Sequence, residues 1–344
     1  MKALELVAPH RVELKEISDP PEPRAGEVLV RVRAVGICGS DMHYYSEGLC
    51  QGSDAVYPSV LGHEPAGEIA AVGPGVEAVR PGTRVAIEPA IRCGCCEACL
   101  SGRLNLCENC VFMGGRQAPG LLREYAVMPA RNVVPIPDEL SFPAAAVVEP
   151  LAVLVHSAGL ARLRIGETVA VMGAGPIGSL AVVVSKLAGA SQVIVADRLP
   201  HRLALARKLG ADETVDISKD SIADAVLDLT HGKGAHVVFD AAGKEDSINP
   251  AIQCLRFGGR LVVIGIPSQQ KIPLDLWEAL DKEIEIVMQK RSNNNDHEAI
   301  DILRRGLIPT DAFVTHRFPL ETGHRAFATV AEYADGVMKA VVEL

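Results

Sequence analysis

The sequence predicts an α/β protein of two domains: a strand-rich N-terminal domain, then a doubly wound parallel-sheet domain. Three observations carry this. The chain has 344 residues, and domains run to roughly 100–200 residues each. Up to about residue 150, short β runs alternate with Gly and Pro. From Leu151 onward, apolar β runs alternate with helical stretches, the texture of βαβ units.

The first region, residues 1–150, contains runs such as GEVLVRVRAVG, GEIAAVG and GTRVAIEP. Apolar runs of this length bounded by turn residues read as strands in a domain rich in irregular structure. The second region, 151–288, places β runs at Thr168–Met172, Val193–Ala196, Val237–Phe239, Leu261–Ile264 and Ile284–Val287. Between them lie SLAVVVSKLAGA, HRLALARKLGA, SIADAVLDLTHG and SINPAIQCLRFGG, read as helices. Leu205 and Leu209 give one apolar face, and Gly210 a stop. The third region, 289–344, has a helical stretch at Glu298–Arg305 and is short for a domain of its own. It is expected to return to the first region.

Composition narrows the function. The hydrophobic fraction is 48 % with only 4 % aromatics, so aliphatic side chains build the core, as in strands buried on both faces. The net charge of −9 argues against a nucleic-acid partner, which favours a basic face, and against anionic membranes. The sequence reading finds no uninterrupted apolar run of bilayer-spanning length and no signal-peptide core at MKALELVAPHRVELKE. A cytoplasmic chain with reduced thiols is expected. Five of the nine cysteines fall between Cys93 and Cys107, which in that setting reads as metal binding before disulfides.

The run Thr168–Met172 leads into Gly173-Ala-Gly175-Pro-Ile-Gly178 and then a helix. Three glycines alone are an ordinary turn. Here a strand precedes them, a helix follows, and Asp197 closes the next strand 19 residues after Gly178. That is the dinucleotide-binding fingerprint. Gly173 permits the turn, Gly175 lets backbone approach a pyrophosphate, and Gly178 lets helix and sheet pack closely. The helix N-terminus offers N–H groups to phosphate. Asp197 is expected to accept the adenosine ribose hydroxyls and to repel a 2′-phosphate, which favours NAD. Arg198 and Arg202 beside it soften that preference.

Cys93, Cys96, Cys99 and Cys107 lie in CGCCEACLSGRLNLC with gaps of two, two and seven residues. Four thiolates on one lobe, about residues 90–110, can close a tetrahedron around zinc with no open position, a structural site. Free, redox-active thiols are the alternative reading. Cys95 and Cys110 are taken as non-ligands.

Three further fragments place polar residues in apolar surroundings: GICGSDMHYY, LGHEPAGE and VVEPLAV. Singly, Cys38, His63 or a Glu reads as a packed residue. A buried Glu149 in AAAVVEPLAV is costly unless paired or metal-bound. Together Cys38, His63 and one or both of Glu64 and Glu149 form a mixed Cys/His/Glu set. Three protein ligands plus water is the composition of a catalytic zinc, a Lewis acid that lowers the pKa of a bound hydroxyl. Ser40 and His43 are candidates for carrying the released proton to water.

Taken together, these motifs resemble the zinc-containing medium-chain dehydrogenases, and within them the sorbitol (polyol) dehydrogenases. GICGSDMHYY, VLGHEPAGE, the cysteine lobe, VVEPLAV and GAGPIGSLAVVVSKLAGA occur in family order over essentially the whole chain. The resemblance implies a GroES-like catalytic domain, to which the C-terminal segment returns, and a Rossmann domain between, with zinc and substrate in the cleft. It implies Cys38, His63 and Glu64 as catalytic zinc ligands, and Glu149 as a ligand or a group that orients water and substrate. Ser40 and His43 match the proton relay, and Tyr44 the substrate pocket. Ile177, Asp197, Arg202, Ile266 and the adjoining Gly265 match cofactor contacts.

In this branch an Arg followed by an aromatic residue is usual where this chain reads Gln289-Lys290-Arg291-Ser292. Arg291 fits a role toward substrate hydroxyls and cofactor, but Ser292 does not replace the ring. The NNND stretch that follows is also unusual. The expected activity is oxidation of a polyol's secondary alcohol by NAD, with two zincs per subunit, catalytic and structural. Butanediol- or threonine-type dehydrogenation with the same zinc, and a non-catalytic cofactor-binding protein on the same scaffold, stay open. A homotetramer is expected, with a dimer as the alternative.

Overall fold

The computed structural model describes residues 1–267 and 269–344. It divides the chain into two compact units, Met1–Ala152 with Asn293–Leu344, and Val153–Ser292.

In the first unit the central strand is Glu27–Gly36. Val28, Val30 and Val32 are buried at alternate positions, the period-2 signature of a pleated strand. It pairs antiparallel with Glu64–Val72, with Tyr125–Pro129 and with the last strand, Lys339–Glu343. The last pairing sets Val342 opposite Val35, so the C-terminal segment completes the N-terminal sheet. Arg84–Ile87 and Val133–Pro135 extend one edge, and Val314–Pro319 the other. A small sheet of Lys2–Ala8, Arg11–Glu16 and Ser59–Val60 adds Leu4 and Leu6 to the core, which also holds Ile69, Met128 and Phe327.

Residues 142–161 correct one sequence reading. By length and composition this helical stretch is apolar enough to cross a bilayer. It is two helices, Phe142–Ala145 and Val148–Ala161. Ala144–Val148, Leu151 and Leu154 are buried in the fold. A core helix passes the same composition test as a spanning one.

The second unit is a six-stranded parallel sheet. Its spatial order is Glu213–Asp216, Gln192–Asp197, Thr168–Met172, Ala235–Asp240, Leu255–Val263, Glu285–Met288. Strand order reverses between Thr168–Met172 and Ala235–Asp240, the place where open α/β sheets bind ligands. Five of these strands are legible as apolar runs. Glu213–Asp216 is not, because only Val215 among its four residues is buried. The helix expected over SINPAIQCLRFGG ends at Cys254, and Leu255 starts a strand. Helical residues Ile248, Ala251 and Ile252 face the core while Phe257 is exposed. Ala170, Ile194, Val238 and Leu261 form the sheet's share of that core.

Candidate functional site

The polar cluster of the first unit is built by two loops and one buried carboxylate. Cys38 ends the approach from the central strand, and the helix Gly39–Glu47 starts after it. Asp41, 1 % exposed, accepts the Cys38 N–H at 3.0 Å and the Gly62 N–H at 3.1 Å. It thereby ties the Cys38 loop to the His63 loop. Its Oδ1 also lies 3.4 Å from His63 Nδ1, which orients the ring and leaves Nε2 facing Ser40 Oγ at 3.2 Å. The Cys38 side chain is in hydrogen-bonding contact with His63. Burial pulls the His63 imidazole down, but the charges of Asp41 and Cys38 outweigh it and hold the ring well above its ordinary value.

Glu149 sits at the start of the helix Val148–Ala161. It has electrostatic contacts with His63, Glu64, Glu88 and Lys339 and, among the described residues, no hydrogen bond. Burial pushes its carboxyl up to about 8. Both oxygens of Glu64 accept from the buried Lys339 Nζ, at 2.8 and 2.7 Å, and Lys339 is itself in electrostatic contact with Cys38 and Glu149. His43 is apart from Ser40's bond. Its Nδ1 lies 3.2 Å from Glu47 Oε1, one helical turn on. A thiol, an imidazole with a carboxylate 3.4 Å from one nitrogen, and a desolvated carboxylate without a hydrogen bond suit a divalent transition metal.

The four lobe thiols fit zinc more simply. The sulfurs of Cys93, Cys96, Cys99 and Cys107 all lie within 4.8 Å of one another. The backbone N–H groups of Cys95 and Cys96 donate to Cys93 and hold its thiol down at about 5. N–H groups aimed at sulfur favour the thiolate that a metal requires. Cys95 stands beside the group as an exposed fifth thiol. The NNND stretch secures this lobe. Asn293 Oδ1 accepts from Leu104 N at 2.8 Å and Asn105 N at 3.3 Å, and its Nδ2 donates to Gly102 O at 3.0 Å.

In the second unit the glycine turn has the expected shape. Gly173 is left-handed at φ +89°, and a Cβ on Gly178 would stand 1.7 Å from the Gly173 carbonyl oxygen. Gly175 precedes the helix Pro176–Leu187, on which Ile177 lies in the first turn. Asp197 accepts from Ala174 N and Leu199 N, both at 2.8 Å. Each oxygen keeps a lone pair for another donor. Arg202 Nη1 lies 3.8 Å from Asp197 and beside Gly175. Gly265, followed by Ile266, crosses so close to Gly243 that a Cβ there would meet its nitrogen at 2.3 Å. Asp240, fully buried, caps this crossing through Ala242 N and Gly243 N.

Tyr44 lines a cleft of about 210 Å³ in the first unit with Asp54, Ser59, Leu61, Arg116 and Gln117. Arg291 is half-buried in the second unit, with a left-handed backbone at φ +54° and its carbonyl accepting from Gln289 Nε2 at 3.1 Å. Ser292 is buried and presents no ring surface.

Asp41, Lys339, Asn293 and Asp240 carry no role in the sequence reading. Lys339 had a signal, being the one charge in the apolar run VMKAVV. Asp41 had one too, as an acid at the third position of a helix start.

Comparison with known proteins agrees with this arrangement. Residues 24–138 match the alcohol dehydrogenase GroES-like domain, and residues 176–304 the zinc-binding dehydrogenase domain. The chain is 38 % identical to a sorbitol dehydrogenase of Bacillus subtilis (strain 168), over 94 % of this chain and 91 % of the relative. It is 38 % identical to an L-arabinitol 4-dehydrogenase of Hypocrea jecorina, over 93 % of this chain and 86 % of the relative. An alcohol dehydrogenase of E. coli CFT073, solved with NADH, superposes with a TM-score of 0.91 at 32 % identity, covering 100 % of this chain and 99 % of that one. The chain belongs to the zinc-containing medium-chain dehydrogenase family, in its sorbitol dehydrogenase-like branch, and is an oxidoreductase acting on alcohol donors.

Proposed function

We propose that the protein oxidises a secondary alcohol of a polyol to the ketose with NAD. The observation that carries this is the junction made by Asp41, which joins Cys38 and His63, distant in sequence, with Glu149 desolvated in electrostatic reach. Cys38, His63, Glu64 and Glu149 are the set that would hold the catalytic zinc, and Cys93, Cys96, Cys99 and Cys107 would hold the structural one. When bound, zinc supplies Lewis acidity toward an alcohol hydroxyl, and the nicotinamide accepts the hydride.

The chain's own groups do the rest. Asp41 lies 3.4 Å behind His63 Nδ1, where a carboxylate would orient a metal-bound histidine. The Ser40 hydroxyl is the group placed to take the alcohol proton. His43, backed by Glu47, is the partner that passes it to solvent. Tyr44 and its cleft offer hydroxyl partners to the rest of the substrate, with Arg291 assigned to the same task. Asp197 supports NAD over NADP: two backbone N–H bonds hold its carboxylate at the strand end, where a 2′-phosphate would meet like charge. In the second unit the edge strand Glu285–Met288 and helix Leu276–Asp281 expose Leu276, Trp277, Leu280 and Met288. Such a patch supports association of copies, a tetramer or a dimer. The thiol lobe supports a reducing, cytoplasmic setting.

The test is NADH and NADPH formation by the zinc-loaded enzyme across polyols, diols, threonine and simple alcohols, with and without chelator. Chelator-sensitive NADH formation concentrated on polyols is expected. Turnover on diols or threonine alone would overturn the polyol reading. Cofactor binding without turnover on any alcohol would overturn the catalytic one.

A further inference from the structure

The cleft that Tyr44 lines carries two opposite charges that do not meet. Asp54 and Arg116 both line it, and among the described residues neither makes a hydrogen bond or an ion pair. Each is anchored to a segment that carries residues of the reacting site. Asp54 ends the hairpin of Leu49–Cys50 and Ser53–Asp54, which follows the helix bearing Ser40, His43 and Tyr44. Ala55 N donates back to Gly48 O, the cap of that helix, at 2.8 Å. Arg116 lies in the loop spanned by the bridge between Met113 and Ala118, which Gly114 N closes by donating to Ala118 O at 3.1 Å. This loop rests on the His63 loop. Gly120 N donates to Val60 O at 2.6 Å and Leu121 N to Gly62 O at 2.8 Å. The approach is close: a Cβ on Gly114 would stand 2.9 Å from Gly62 O, and one on Gly120 2.1 Å from Leu61 O. Arg116 is in electrostatic reach of the Tyr44 phenol.

The chemistry of the two side chains is complementary. A carboxylate only accepts hydrogen bonds and a guanidinium only donates them. A hydroxyl does both, so one pair of adjacent hydroxyls can donate to Asp54 and accept from Arg116. The planar fork of arginine reaches two oxygens at once, which suits a vicinal diol. Ser59 and Gln117 line the same cleft and can each donate and accept. An apolar chain would leave both charges without a partner. An anionic one would meet the like charge of Asp54.

We propose that Asp54 and Arg116 are specificity-determining residues: they seat a vicinal diol of the substrate away from its reacting carbon, and so select polyols over alcohols that lack those hydroxyls. This rests on the polyol reading of the reacting site. The two loops hold the donor and the acceptor in place before substrate arrives, so the diol is the missing partner of both.

The test uses the zinc-loaded full-length enzyme with Asp54→Ala, Asp54→Asn and Arg116→Met, assayed on sorbitol and on a butanediol, which has no hydroxyls beyond the reacting pair. The reading is the ratio of kcat/KM for sorbitol to that for the butanediol. Asp54→Ala and Arg116→Met should each lower this ratio at least about tenfold, as a site built to bond a hydroxyl discriminates by it. The loss should fall on KM for sorbitol more than on kcat, because the diol is held alike in ground and transition states. Asp54→Asn keeps one acceptor oxygen and should lie between. A ratio that stays at the wild-type value in Asp54→Ala and Arg116→Met, whether or not overall activity drops, overturns the proposal. A wild type that prefers the corresponding aldonate to sorbitol, with that preference lost in Arg116→Met, overturns it in favour of a carboxylate seat. A wild type that oxidises the butanediol and no polyol overturns the reading beneath it, and is told apart because it shows before any variant is made.

Discussion

Removing Asp41 should loosen the fold and the site together, by an amount the structure sets. The carboxylate takes two backbone donors, Cys38 N and Gly62 N, in a place closed to water. Asp41→Ala leaves both unmade, at roughly 1–3 kcal/mol for each buried group, or about 4 kcal/mol in all. Asp41→Asn keeps one oxygen as acceptor and turns an N–H₂ toward the other donor, so it should lose about half as much. Urea unfolding should rank wild type above Asn above Ala, with the midpoint moving and the slope unchanged. The pH dependence gives a second check. Burial pushes the Asp41 carboxyl up, but His63 and the two N–H groups outweigh it, and the folded value lies below the ordinary one. Its stabilisation is therefore full above the unfolded value of about 3.9 and is lost as pH falls through the lowered folded value. The gap between wild type and Asp41→Asn should hold steady near neutrality and close in acid. Metal bound at the mixed site should fall in both variants while the lobe keeps its own. An Asp41→Ala protein within about 1 kcal/mol of wild type, or a gap that widens in acid, would refute the reasoning.

Gly178→Ala forces a methyl onto the Gly173 carbonyl, 1.7 Å away, and should weaken NADH binding at least about tenfold in a fluorescence titration; unchanged affinity would show that the turn can shift. Asn293→Ala removes three bonds to the lobe, about 1 kcal/mol each, and should speed release of the structural zinc to a chelator by about tenfold or more. Burial first, then the charge of Glu88, pushes the Asp296 carboxyl up to about 7. Since this lies above the unfolded value of about 3.9, ionisation costs stability as pH rises between the two. Asp296→Asn should equal wild type near pH 4 and exceed it by up to about 4 kcal/mol at pH 8; a stability gain already present at pH 4 would point to packing instead.

The inner strands of the second unit are legible because a sheet buried on both faces demands unbroken apolar runs, and Val169–Met172, every residue after the first in Thr168–Met172, is apolar and buried. Glu213–Asp216 escapes because an edge strand buries one side only. The fingerprint glycines are legible because backbone sterics admit no other residue at Gly178. The four thiols are legible because their short spacing already confines them to one loop. The mixed site is harder. Cys38, His63 and Glu149 stand out as polar residues in apolar text, but nothing local says that they meet.

The sequence by itself determined the two textures of the chain, the dinucleotide turn with Asp197, the thiol lobe and the inventory of polar residues for the reacting site. Each is enforced within a few residues, by periodicity, turn sterics or ligand spacing. Only the tertiary structure decided how the inventory is used. Asp41 joins two loops through N–H groups more than twenty residues apart in sequence, and Asn293 reaches back 188 and 189 residues to the lobe. Lys339 lies 275 residues beyond Glu64 and meets it because the last strand pairs with the central one. A buried charge must find its partner wherever the fold brings one. The sequence shows that such a partner is needed, and the sheet order determines which residue it is.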